Sequence, residues 1–407
     1  MCSLLARLLA AAVLVHDAAA QLTSFPLCQG NPVAAYKDAV ATYPQVKNAV
    51  AKLSQFQVAS WWTDNNAHYY TEIQKLLNVC NASTVPTIVV YGLPNKDCAS
   101  NFSALGTNRN ADDYAKFVQD LADLVGTRPV NYILEPDALG LVASNECATK
   151  ADYVGIMMMA VPILTGENAN ASLYLDVGYW VFADTTQTNV VVQAVKQLGS
   201  KGGSIRGIAL DTSNYRPTAE MKRVCAAFTA ATKAANMKQT FTCVVDTSRN
   251  YIGPPATSLE WCNSRHAAIG NPPTSNTSSG LIDYYLWIKA PGDSDGPCNT
   301  ADITPDALKN GPPAGQFFEK AFSLMWDRGY FVDQKLGDKL GEFTLDVDQV
   351  QQGGSISWVA IGVIVAACVV LVVVGVLVKR RSDARTGRRQ HAAEAGPTPA
   401  RKPYLSI

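Results

Sequence analysis

The chain has little histidine and no net charge. Only four histidines occur in 407 residues, and Lys plus Arg (34) balances Asp plus Glu (34). A neutral balance with 17% charged residues removes the electrostatic case for nucleic acid or for an acidic partner. His16 and His391 lie in the terminal segments, so His68 and His266 alone are available to the body of the chain. No Gly-x-Ser-x-Gly elbow is present, which argues against a Ser-His-Asp hydrolase. No Gly-x-Gly-x-x-Gly run or P-loop supplies a phosphate cradle. No His/Cys cluster has zinc spacing, so neither a cofactor nor a resident metal is expected. Internal repeats and low-complexity tracts are also missing.

What is present begins with the ends. Residues 1–20 place Arg7 before an apolar run and end on Ala18-Ala19-Ala20, the order of a secretory signal peptide. Residues 356–378 are apolar and uncharged and are followed at once by Lys379-Arg380-Arg381, the pattern of one spanning helix with a stop-transfer cluster. The positive-inside rule puts the basic tail, 379–407, in the cytoplasm and everything before the helix outside the cell. Residues 346–355 read as a linker, which leaves 21–345 as one domain anchored as a single-pass type I protein at the cell membrane. Of ten cysteines, Cys2 and Cys368 fall in the terminal apolar segments. The other eight, in an oxidising compartment, suit up to four disulfides whose pairing spacing alone does not decide. Asn81, Asn101, Asn170 and Asn276 open Asn-x-Ser/Thr sequons, which agrees with secretion.

Within the domain, seven β-branched or aromatic runs recur, at about 56–62, 86–93, 130–134, 172–177, 205–210, 241–245 and 282–288. Helical spacing fills the gaps, at 112–125, 151–164, 186–198, 218–236 and 315–326. Alternation of this kind predicts an α/β fold with a parallel sheet closed into a barrel. Acids and aromatics follow each predicted strand: Trp62 and Asp64, Tyr91 and Asp97, Glu135 and Asp137, Asp176 and Trp180, Asp211 and Asn214, Asp246 and Arg249, then Lys289, Asp293 and Asp295. All would gather at the C-terminal mouth, where barrel enzymes carry their chemistry. Aspartates after strands often cap helices, a role expected here for one or two of them. Acids mixed with aromatics suit hydroxyl hydrogen bonds and stacking on sugar rings, and crowded carboxylates let one keep its proton while another stays ionised.

The segments Val89-Val90-Tyr91-Gly92-Leu93-Pro94-Asn95-Lys96-Asp97-Cys98, Ile133-Leu134-Glu135-Pro136-Asp137, Leu175-Asp176-Val177-Gly178, Asn214-Tyr215, Asp246 with Arg249, Trp261-Cys262-Asn263 and Trp287-Ile288-Lys289 with Asp295-Gly296 resemble glycoside hydrolase family 6, the inverting cellulases. The resemblance implies a distorted seven-stranded parallel β/α barrel and hydrolysis of β-1,4-glucan by a monomer. It implies Asp137 as general acid, Asp97 as the carboxyl that keeps it protonated and helps to position water, Ser103 as the hydroxyl partner of Asp97, Asp295 as the usual candidate for the base, and Tyr91 as a ring-distorting tyrosine. Asp64, Asp176, Asn214, Arg249, Lys289 and Asp293 are expected to contact sugar or hold carboxylates, and Trp62, Trp180 and Trp261 to stack on it. It further implies Cys98–Cys147 and Cys262–Cys298 pairs, which leaves Cys28–Cys80 and Cys225–Cys243. Gly92 stands where many members have Asp, and Tyr179 where many have His. Short loops between Asp97 and Tyr114 and between Asp295 and Cys298 favour an open cleft and internal cleavage. Chain-end release of cellobiose, or a surface protein that binds glucan without cleaving it, are the alternatives.

Overall fold

A computed structural model describes residues 25–341, apart from 31–32, 256–257, 259 and 301–302. The signal peptide, linker, spanning helix and tail read from the sequence lie outside the described residues. Seven strands, β1 (Ser60–Thr63), β2 (Thr87–Tyr91), β3 (Val130–Leu134), β4 (Ala171–Asp176), β5 (Gly207–Leu210), β6 (Thr242–Asp246) and β7 (Ile282–Leu286), form one sheet in sequential order. Every pairing is parallel.

The sheet curls, but no ladder joins β1 to β7 among the described residues. Hydrogen bonds cross that seam, among them Ala59 N to Trp287 O (2.9 Å) and Trp61 Nε1 to Ile288 O (2.9 Å). A separate apolar cluster packs the segments flanking the seam, with Val58 and Trp287 against Val46, Leu53, Phe322 and Phe331. The expected barrel is therefore a curled, incompletely closed one.

Strand alternation divides the core in two. Val89, Tyr91, Ile133, Tyr174, Ala209, Val244, Tyr284 and Leu286 fill the inside of the curl. Trp62, Ile88, Val90, Tyr132, Leu134, Leu175, Ile208 and Val245 face the helices. The helix Ala111–Val125 shows how these are covered: Asn110 caps it by accepting from Asp113 N (2.9 Å), and Tyr114, Phe117, Val118, Leu121 and Val125 recur at three- and four-residue intervals on its buried face.

Two expected helices change. The stretch 151–164 breaks into Tyr153–Met157 and Ala160–Thr165, because Pro162 has no amide to offer the Met158 carbonyl and its ring crowds it. The last starts at Glu319, since Gly315 takes φ +80°. The first strand starts at Ser60 because residues 54–56 turn out of the helix Lys47–Leu53, with Ser54 N on Val50 O and Phe56 N on Leu53 O. All four expected disulfides are formed: Cys28–Cys80, Cys98–Cys147, Cys225–Cys243 and Cys262–Cys298.

Candidate active site

Four acids at the strand ends are buried, and each gives at least one oxygen to loop backbone. Asp64 pairs with Lys96 and accepts from Asn108 N (2.7 Å). Asp176 accepts from Asp137 N (2.7 Å), and Asp211 from Arg216 N (2.9 Å). Asp246 accepts from Ser213 N, Ser248 N, Ile288 N and Lys289 N at 2.9–3.2 Å. Glu135 does the same at the end of β3, accepting from Gly92 N (2.9 Å) and Leu93 N (3.3 Å). None of these five is a helix N-cap, so the capping role expected for one or two aspartates is replaced by a general one of accepting from loop amides. It fixes the loops from beneath and leaves the cleft to residues one step further along.

That cleft, of about 440 Å³, is lined by Asp97, Asp137 and Asp295 together with Tyr91, Ser103, Trp180, Asn214, Trp261 and Lys289. Asp137 stands at the N-cap position of the helix Ala138–Ser144, yet its side chain makes no cap and φ is +67°. The Asp176 carboxylate holds its amide in that left-handed turn. Asp97 (φ +53°) is likewise left-handed. Backbone of this kind costs on the order of 1–3 kcal/mol per residue and persists only where neighbours enforce it.

The electrostatics separate the three acids. Burial, then the charges of Asp97 and Asp295, pushes Asp137 up to about 7 against the pull of Lys289. Burial also raises Asp97, opposed by backbone donors that include Ser103 N (2.7 Å). Asp295 behaves oppositely. Burial disfavours its charge, but Arg249 Nη1 (3.0 and 3.1 Å), Lys289 Nζ (2.5 Å) and the Tyr215 hydroxyl hold its carboxyl well below the usual carboxylate range. Asn263 adds a reciprocal pair, donating N–H to Asp295 Oδ2 (2.8 Å) and accepting Asp295 N on its own Oδ1 (2.7 Å).

Several expected positions differ. Trp62 has no exposed surface: it lies on the outer face of β1, donates Nε1 to Phe117 O (2.9 Å) and meets Tyr69 edge-on at 4.4 Å. Its neighbour Trp61 lines the cleft instead, 5.6 Å from the Tyr91 ring. Strand parity decides this, because adjacent residues point to opposite faces. Asp64 is buried under its lysine and loop, away from the cleft. Asp176 and Arg249 are buried too, and touch Asp137 and Asp295 rather than the cleft wall. Asp293 is not on the wall either; burial raises its carboxyl to about 7, with Lys289 and Arg249 opposing. Ser103 holds Asp97 through its amide rather than its hydroxyl.

Trp180 rests on a glycine floor, where a Cβ on Gly178 or Gly140 would come within 2.3 or 2.7 Å of its ring. Gly92 is hemmed in similarly: a Cβ there would meet the Phe117 ring at 2.3 Å, so any larger residue would require that ring to move. Sequence reasoning missed Trp61, Tyr215, Asn263 and Phe102. Tyr215 and Asn263 were inside recognised segments, and only the fold shows that they bond Asp295. Phe102 approaches Trp261 at 5.7 Å, so the Asp97 loop leans on the Trp261 loop.

Two measurements check this arrangement. Trp62→Ala should destabilise the protein by about 3–5 kcal/mol, as for any large buried aromatic. Trp61→Ala, which removes the bond to Ile288 O but little buried surface, should cost only about 1–2 kcal/mol yet weaken binding of oligosaccharide or polymer several-fold. Loss of stability in the Trp61 variant alone would reverse the assignment.

The second concerns pH. Glu135, Asp137 and Asp293 are each raised to about 7 by burial. Between their unfolded values near 4 and their folded values, the native state holds more protons than the unfolded chain, so stability falls as pH rises through that window. Asp295, depressed, acts with the opposite sign and loses its contribution only below about pH 4. The melting temperature should peak at about pH 4–5 and drop by roughly 5 °C or more by pH 8. A melting temperature that climbs steadily from pH 5 to 8 would contradict the burial of these acids.

Comparison with known proteins follows the same lines. The family profile described as "Glycosyl hydrolases family 6" matches residues 28–328. Endoglucanase A of Cellulomonas fimi is 33% identical over 241 residues, covering 59% of this chain and 46% of that protein. Exoglucanase-6A of Humicola insolens is 27% identical over 327 residues, covering 68% and 66%. The chain spans about half the length of the first curated relatives it matches. Among solved structures, a family 6 enzyme of Orpinomyces sp. Y102 superimposes with a TM-score of 0.65 at 22% identity, covering 76% of this chain and 98% of that one.

Proposed function

Because the chain belongs to the glycosyl hydrolases of family 6, we propose that it hydrolyses internal β-1,4-glucosidic bonds of cellulose or a related β-glucan with inversion at the anomeric carbon. The observation that carries this reading is the split between two cleft acids. Asp137 keeps its proton to about pH 7, while Asp295 stays ionised. One acid ready to protonate a leaving oxygen, beside a fixed negative charge, is what cleavage through an oxocarbenium-like transition state requires.

In this reading Asp137 gives its proton to the departing O4 as the glycosidic bond breaks, and a water attacks the opposite face of the ring. The water's proton must go to a group with affinity for it. Asp295 is a poor acceptor, since four donors occupy its oxygens and its conjugate acid is very strong. Asp97, raised by burial, is the better one, directly or through solvent. This revises the expectation that Asp295 is the base. Asp295 and its cations form a rigid charged wall, and the Trp61, Trp180 and Trp261 rings and Asn214 line the path of the chain.

Asp97 also raises Asp137, so Asp97→Ala should move the alkaline limb of the pH–rate profile to lower pH, besides lowering turnover. An unmoved limb would disconnect the two. Internal rather than terminal cleavage is supported by the short Asp97 and Asp295 loops and by endoglucanases among the relatives. The test is the viscosity of carboxymethylcellulose followed against reducing ends: rapid thinning early in the reaction supports internal attack, whereas cellobiose released without thinning supports action at chain ends. We also propose that residues 356–378 anchor the protein in the membrane with the catalytic domain outside, supported by the apolar run, its basic flank and eight cysteines paired as four disulfides.

A further inference from the structure

Beside the cleft, Glu260, His266 and Asp306 bring three ligating atoms within 4.8 Å of one another. Glu260 is 2% exposed; its Oε1 accepts from Arg265 N (3.2 Å), and the Ser264 and His266 side chains lie against its carboxylate. Its Oε2 is buried without a hydrogen-bond partner, and so is His266 Nδ1, 3.5 Å away. The imidazole and the carboxylate face each other at 3.5 Å without closing to good hydrogen-bond geometry, a spacing that a shared cation would bridge. Asp306 is fixed alongside by its own carbonyl, which accepts Arg265 Nε at 2.8 Å.

We propose that these three side chains form a site for a divalent transition metal of the Zn²⁺ type. An ion about 2.0–2.2 Å from each ligand needs ligand atoms roughly 3–3.5 Å apart. The Glu260–His266 spacing already meets this, and Asp306, only partly buried, closes by a rotamer change. Imidazole with two carboxylates suits Zn²⁺ and disfavours Ca²⁺, which takes oxygen ligands. Both His266 and Asp306 are partly exposed, which gives the ion an entry path and room for water. The linear sequence hides the site, because its third ligand lies 40 residues beyond His266 on another loop.

The site joins two segments that matter to the cleft. Glu260 and His266 bracket Trp261, Cys262 and Asn263, and Asp306 follows Cys298 on the loop beyond Asp295. A bound ion would tie the Trp261 wall to that loop in addition to the Cys262–Cys298 bridge.

The test uses the full-length chain in detergent, stripped with a chelator and titrated with ZnCl2, and separately with CaCl2, by calorimetry. We expect one Zn²⁺ bound at micromolar or tighter affinity, no comparable Ca²⁺ binding, and a melting temperature about 3 °C or more higher at saturating Zn²⁺. His266→Gln and Asp306→Asn, both at partly exposed positions, should each weaken Zn²⁺ binding at least tenfold, while His68→Gln should not. Absence of saturable Zn²⁺ binding overturns the proposal, and so does binding that survives in both the His266 and Asp306 variants.

Discussion

Asp137→Asn is expected to lower turnover on carboxymethylcellulose by about 10³-fold, within the span usual for loss of a general acid. The fold should survive, because Asp137 makes no helix cap and its amide, not its carboxyl, is the donor to Asp176. Two further readouts separate an acid from a residue that merely shapes the cleft. Wild-type rate should decline as pH rises through about 7, where Asp137 loses its proton, and that limb should vanish in the variant. An aryl cellobioside with a strongly acidic phenol needs no proton on departure, so the deficit of the variant should shrink there to about tenfold. An equal deficit on both substrates would remove Asp137 from the role of acid.

How far this was legible in the sequence depends on which structural layer a residue serves. Most strands were visible because they are short runs rich in β-branched or aromatic residues and largely buried on both faces; β3 was located to the residue. The acids were visible as types but not as roles. An aspartate that ends a strand, such as Asp176 or Asp246, cannot be told by composition from one a few residues beyond a strand, such as Asp97 or Asp137. The fold distinguishes them. The first kind lies beneath the loop and faces backbone amides, whereas the second has turned through a left-handed residue into the cleft.

The tryptophans failed for a different reason. Trp61 and Trp62 are adjacent, and choosing between them requires the parity of β1, which depends on its register with β2, Trp61 opposite Val89 and Trp62 opposite Val90. A four-residue strand with apolar residues on both faces carries no alternation to read. The disulfides, by contrast, followed from the resemblance, since the paired loops are those that carry Asp97 and Asp295.

The second large effect is expected at Asp295. Its carboxylate compensates Arg249, whose side chain is 2% exposed, and Lys289, at 12%. Asp295→Leu leaves both cations without their anion and should cost about 3–5 kcal/mol of stability together with about 10³-fold or more in activity. If the carboxylate acts as a fixed charge, removing its buried partner should restore much of the stability: the double variant Asp295→Leu, Arg249→Met should recover about half or more of the lost urea midpoint, with no return of activity. Lys289 can then reach solvent along its flexible stem. Azide, a nucleophile that needs no base, offers the other discrimination. It should fail to rescue Asp295→Asn, because the missing element is charge opposite the developing oxocarbenium and not a proton acceptor. Rapid formation of glycosyl azide by that variant, with stability near wild type, would instead make Asp295 the base and return Asp97 to a purely supporting place beside Asp137.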